Sequence, residues 1–147
     1  MARSYQLRSG RRAANFVVSA MIRLGVGFTS SYLLTTTGRK TLAARTTPVT
    51  VLEIDGDRWL VSPYGMVGWV RNVRALPEVT LRRGHAVEAF CAREVGAETA
   101  GPVLRDYVSR VPITAPYFDA KPDDPVASFV KEAARHPVFR LEPKPLR

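Results

Sequence analysis

The residues from Gly38 to Val49, GRKTLAARTTPV, gather three threonine hydroxyls, three cations and a glycine without one carboxylate. A segment so composed is short of an anion. Hydroxyls, guanidinium and ammonium groups and the N–H groups of a glycine turn are the donors that hold phosphates and carboxylates. The imbalance is wider than the segment. Eight cations (Arg3, Arg8, Arg11, Arg12, Arg23, Arg39, Lys40, Arg45) precede the first acid, Glu53, whereas the rest of the chain is nearly neutral. Such asymmetry points to an anionic partner: nucleic acid, an anionic membrane surface or a polyanionic small molecule.

Other chemistries find little support. With Cys91 as the single cysteine and only His85 and His136 beside it, the chain has no intrachain disulfide and offers no zinc or iron-sulfur cluster, so no metal is expected. A reducing, cytoplasmic setting follows. Cys91 reads as a small buried hydrophobe and His85 as a solvent-facing turn residue. No G-x-G-x-x-G follows the first strand and no G-x-x-x-x-G-K-[ST] occurs, which disfavours a Rossmann fold and a nucleotide triphosphatase.

At 147 residues and 46% hydrophobic, the chain suits one compact domain. The most apolar early run, Phe16 to Phe28, is broken by Arg23 and Gly25 and falls short of the roughly 20 apolar residues a spanning helix needs. Phe16, Val17, Ala20, Met21 and Leu24 instead form the stripe of an amphipathic helix flanked by Arg12 and Arg23. We therefore divide the chain into a basic arm and helix over 1–30 and a single domain over 31–147. The arm predicts weak association with an anionic membrane surface, at its inner face.

From Ser31 onward the pattern becomes strand-like. Ser31 to Thr37 is β-branched and aromatic and runs into Gly38. Arg45 to Ile54 alternates and stops at Asp55-Gly56-Asp57, a hairpin signal, and Arg58 to Ser62 returns. Val67 to Leu76 has helical spacing stopped by Pro77. Val79 to Arg82 and Ala86 to Ala92 flank Arg83-Gly84 as a second hairpin. Helices are expected over Val95 to Val111 and Val126 to His136, a proline-interrupted loop over Pro112 to Pro125, and a closing strand over Val138 to Leu141. Six short strands joined mostly by hairpins, with helices inserted, predict a mainly β, α+β fold built on a small antiparallel barrel.

YLLTTTGRKT, then R-T-T-P after a short spacer, a D-G hairpin, a strand ending in Ser62 and finally GWVRNVRALPEV occur in that order. This set resembles the deazaflavin-dependent nitroreductase family, split β-barrel reductases of actinobacteria that use coenzyme F420. The resemblance covers about Ser31 to Val95 and implies a split barrel like that of FMN-binding proteins, with peripheral helices. It also implies an F420H2-dependent oxidoreductase passing a hydride to a small electron-poor acceptor: a conjugated enone, a quinone or an activated nitro compound. The cofactor it implies carries a phosphodiester and an oligoglutamate tail on a flat aromatic ring, which would be the missing anion.

On that resemblance Gly38, Arg39, Lys40 and Thr41 would hold the phosphate and tail, and Arg45, Thr46, Thr47 and Pro48 would line the next strand beside the ring. Ser62, Tyr64 and Gly65 would follow the third strand into the pocket, and Gly68, Trp69, Val70, Arg71 and Asn72 match the cofactor-contacting helix start. Trp69 reads equally well as a core aromatic. Tyr117, in TAPYFDAKP, is the candidate to approach the acceptor and give it a proton, with solvent as the other source. Thr35, Thr36 and Thr37 read as strand residues without a chemical role.

Two departures stand out. The family pattern has a glycine where Leu42 stands, and because a positive φ is costly for leucine the loop is expected to bend differently there. The loop before Trp69, PYGMVG, is shorter than the lysine-bearing loop of the nitro-reducing type, so that substrate preference does not carry over. An FMN-binding or haem-related split-barrel protein stays open as an alternative, and so does a basic nucleic-acid-binding barrel. The second half of the chain lacks the exposed aromatic and basic strands that stacking on bases needs, so no nucleic acid is expected.

Overall fold

The computed structural model describes residues 31–144. The expected basic arm and amphipathic helix lie outside the described residues. Six strands, β1 (Ser31–Thr37), β2 (Ala44–Ile54), β3 (Asp57–Val61), β4 (Glu78–Arg83), β5 (Ala86–Glu94) and β6 (Val138–Lys144), pair antiparallel into a closed barrel in the order β1-β2-β3-β6-β5-β4. Helix α1 (Gly68–Ala75) follows β3, and α2 (Ala97–Arg110) and α3 (Val126–Glu132) lie between β5 and β6. The loop expected over Pro112 to Pro125 opens with a 3-10 turn, Pro112–Tyr117.

The β2–β3 hairpin shows why its turn was legible. Asp55 and Gly56 adopt φ values of 53° and 85°, the two positive values a type I′ turn needs, and Ile54 pairs with Asp57 across it. Ring closure comes from β1, which pairs with β2 on one side (Leu33 opposite Pro48) and with β4 on the other (Leu34 opposite Leu81).

Strand periodicity divides the interior into two cores. Leu34, Val51, Leu60, Leu81, Phe90 and Phe139 point inward, where Val70 and Val73 of α1 pack with them. Their neighbours Leu52, Trp59, Val61 and Val138 point outward and are covered by Val103, Leu104, Tyr107 and Val108 of α2 and Phe129 of α3. The two helices meet at Gly101: a Cβ there would stand 2.5 Å from Val130 Cγ2. Cys91 is half-buried on β5, less enclosed than its alternation suggests, and His85 is exposed as expected.

Candidate active site

The basic loop is a closed unit. Gly38 N–H donates to Ala43 O (2.7 Å) and Leu42 N–H to Gly38 O (2.8 Å). A side chain at Gly38 would be tightly met, since a Cβ would lie 3.0 Å from Thr41 Oγ1 and 3.1 Å from Ala43 O. Leu42 has φ 60° and is 70% exposed. The expectation that the loop must bend away from a left-handed turn at Leu42 is therefore corrected: the chain keeps the turn with a leucine in it, at a backbone cost of about 1–2 kcal/mol. The two backbone bonds across the loop hold it there. Strain of this kind persists where the surroundings over-determine it, as at binding sites.

Asn72 of α1 fastens the loop to the barrel. Its Oδ1 accepts from Arg39 Nη1 (2.8 Å) and Arg39 N (3.3 Å), and its Nδ2 donates to Thr36 Oγ1 (3.2 Å). Both Asn72 and Thr36 are buried. Thr36 thus has a structural task that its place in a threonine run did not reveal. Thr35 Oγ1 meets Thr46 Oγ1 at 2.9 Å across the strand pair.

Between this loop, β2, the start of α1 and the end of α2 lies a cavity of about 1170 Å³. Arg39, Lys40, Arg45 and Arg110 line it, with hydroxyls from Thr41, Thr46 and Thr47, and among the described residues no carboxylate belongs to its wall. Pro48, Tyr64, Gly68, Trp69 and Asn72 also reach it, so twelve of the sixteen residues the sequence put forward as cofactor contacts share one wall. Trp69 lines the cavity while its ring packs 5.7 Å from Phe139 of the inner core.

Four are not brought to that wall. Ser62 is buried, with its hydroxyl donating to Gly65 O, and Gly65 shapes the turn with φ 86°. Val70 is wholly inside the barrel core, because in a short helix the residue after Trp69 turns inward, and Arg71 is exposed outside the cavity. Tyr117 is half-buried and packs edge-on against Tyr64 at 4.7 Å; it is Tyr64 that lines the cavity.

The residues missed come from the end of α2 and the turn after it: Tyr107, Arg110, Val111, Pro112, Ile113 and Thr114. Tyr107 is 4% exposed, and burial pushes its phenol well above the ordinary range, with neighbouring Tyr64 adding to the effect. One signal was available, because Tyr107 brings a polar tip to the aliphatic face Ala100, Val103, Leu104 and Val108. Behind the cavity, buried Glu132 accepts from the N–H groups of Asp119 (3.1 Å) and Ala120 (2.7 Å). Its Oε1 also contacts His136 Nε2 at 3.1 Å, and His136 Nδ1 donates to Pro63 O at 2.9 Å. The pair ties the segment before Tyr64 to the segment after Tyr117.

A closed six-strand barrel with a cation-lined cavity beside it defines a protein of the split-barrel, flavin-binding-like class. Residues 9–132 match the F420H(2)-dependent quinone reductase family. The chain belongs to that family, and it is a deazaflavin-dependent reductase whose cofactor is reduced F420. A search of curated proteins gives no match. Among solved structures, an F420-H2 dependent reductase is 28% identical, covering 78% of this chain and 95% of its own, with a TM-score of 0.54. A structure described as a domain-swapped dimer is 24% identical over 91% of this chain and 100% of its own, with a TM-score of 0.58. The haem storage protein HutZ of Vibrio cholerae, 12% identical over 80% of this chain and 83% of its own with a TM-score of 0.57, shares the fold alone.

Proposed function

We propose that this chain reduces a small hydrophobic quinone at the cation-lined cavity, with conjugated enones and activated nitro compounds as further acceptors. The observation that carries the reading is the charge of the wall: among the described residues it has four cations, of which only Arg110 has a carboxylate partner, Asp106, and no carboxylate of its own. A cofactor with a phosphodiester and a glutamate tail supplies the anions this wall lacks, and the cavity exceeds the 300–1,000 Å³ range usual for one small ligand, which suits a cofactor and an acceptor together. The residues present fit the group.

When bound, the reduced deazaflavin supplies a hydride from its ring to an acceptor held beside it. Lys40, Arg45, Thr41 and the free N–H groups of Arg39 neutralise and hydrogen-bond the phosphate and tail. Asn72 keeps Arg39 from collapsing away from that task. Trp69 and Pro48 give the flat ring apolar walls, and Thr46 and Thr47 offer hydroxyls at its edge. Tyr117 acts through Tyr64, holding that ring edge-on so the acceptor meets a rigid surface. The Glu132–His136 pair keeps both aromatic segments in register, which preserves orientation at the reacting centre.

The rim carries two exposed apolar side chains, Ile113 (79%) and Met66 (42%), beside Arg110. We assign to it, with the arginines of the basic arm, a weak association with an anionic membrane surface, from which an apolar quinone can enter. Among the described residues no helix is long and apolar enough to cross a membrane.

The discriminating experiment mixes the purified protein with F420, FMN and single-stranded DNA at physiological salt and follows cofactor fluorescence and DNA anisotropy. Low-micromolar binding of F420 alone, followed by reduction of quinone in the presence of reduced F420, is the expected result. Binding of FMN alone, or of DNA alone, overturns the reading.

A further inference from the structure

We propose that the Tyr107 hydroxyl is the hydrogen-bond donor that receives a carbonyl oxygen of the quinone acceptor. The inference rests on the reading that the acceptor occupies this cavity. Tyr107 lies on the buried face of α2, is 4% exposed and lines the cavity, yet its hydroxyl makes no hydrogen bond with any described residue. Its oxygen is not among the enclosed polar atoms left without a partner, so it opens onto the cavity rather than into the core. A hydroxyl placed at a cavity wall without a partner among the described residues is positioned for one that enters the cavity.

Two other hydroxyls of the same wall are already engaged: Thr114 donates to Val111 O at 2.7 Å and Thr36 accepts from Asn72. The surroundings of Tyr107 also suit a quinone rather than the anionic tail. It arrives at the cavity with Val111, Pro112, Ile113 and an Arg110 already paired with Asp106, whereas Arg39, Lys40 and Arg45 come from the basic loop and β2.

The chemistry needs a donor that keeps its proton. Conversion of a quinone to a hydroquinone takes up one hydride and one proton; two electrons arrive with the hydride, and negative charge develops on a carbonyl oxygen. A phenol fixed beside that oxygen stabilises the charge through its hydrogen bond, as donors in an oxyanion hole do. The proton is taken from water, so Tyr107 is not consumed. Burial keeps the phenol protonated well past neutral pH, which makes it a lasting donor rather than an acid in turnover.

The test compares wild type with Tyr107→Phe, a change that removes only an oxygen without a hydrogen-bond partner among the described residues. Calorimetry with menadione and with methylnaphthalene, its carbonyl-free counterpart, measures acceptor binding directly, and F420 titration is run on the same samples. Expected are a three- to tenfold loss of menadione affinity, the loss of about one hydrogen bond, with methylnaphthalene affinity, F420 affinity and Tm unchanged. With reduced F420 present, KM for menadione should rise. Equal menadione affinity in both proteins overturns the inference, as does equal weakening of both naphthalenes, a fall in F420 affinity instead, or failure of wild type to bind menadione. Absence of F420 binding with the menadione difference intact would instead refute the proposed function and leave this assignment standing.

Discussion

Arg39 and Lys40 are adjacent and both exposed, yet the structure separates their consequences. Arg39 Nη1 provides the shorter of two contacts to the buried Asn72 amide oxygen, 2.8 Å against 3.3 Å from its own main-chain N. Arg39→Ala leaves that oxygen with the weaker contact. Incomplete pairing of a buried acceptor costs about 1–2 kcal/mol, which in a domain of this size lowers Tm by roughly 2–8 °C. Lys40 makes no hydrogen bond or ion pair with a described residue, so Lys40→Ala should stay within about 0.5 kcal/mol of wild type. Each substitution should also weaken F420 binding by about 1.5–3 kcal/mol if it removes a charge-assisted bond, a shift of roughly ten- to 150-fold. A tail-less, riboflavin-like analogue of the cofactor should barely respond to Lys40→Ala. Thermal melts paired with fluorescence titrations over a salt series separate these effects, because added salt should weaken wild type more than Lys40→Ala. If Lys40→Ala destabilises the fold as much as Arg39→Ala, the division of labour is wrong. If both variants bind F420 like wild type across the series, the loop is not the anion site.

Gly101→Ala should destabilise the protein by about 1–3 kcal/mol despite the better helix propensity of alanine, because its Cβ would meet Val130 Cγ2; adding Val130→Ala should restore most of the loss in urea denaturation. Sedimentation with vesicles should recover more protein with anionic than neutral lipid at low salt, each cation near the surface contributing about 1 kcal/mol, and Ile113→Asp should reduce the recovery; equal recovery on both lipids would remove the membrane from the proposal.

The barrel was legible because its strands announce themselves locally. Asp55-Gly56 specifies its own turn geometry, Gly38 and Pro77 stop the elements before them, and β-branched alternation marks the faces. The cofactor side was legible for a related reason: missing carboxylates are a property of composition, and β2, the basic loop and α1 are near in sequence. The acceptor side was not. Tyr107 and Arg110 reach the cavity only because α2 packs across β3, and nothing in the spacing of a helix says which cavity its end will face. Tyr117 attracted notice as an aromatic between prolines, whereas the residue at the cavity wall is the tyrosine it supports. Leu42 shows the opposite limit, where closure of the loop by two backbone bonds outweighs a local preference against positive φ.

The position of β1 bears on the order in which the chain assembles. The β1–β2, β2–β3 and β4–β5 pairings are hairpins between strands close in sequence, but the barrel is sealed by three seams between residues distant in sequence, β1 with β4, β6 with β3 and β5 with β6. Closing long loops costs entropy before any contact repays it, so in a refolding chain these seams should form after the hairpins. The basic loop hangs from β1 and is pinned by Asn72 of α1, which is seated in the barrel interior, so the anion-binding half of the cavity is completed only when the first seam closes. The rate at which a refolding sample regains F420 binding should therefore follow barrel closure, and cofactor present during refolding stabilises the closed state by mass action.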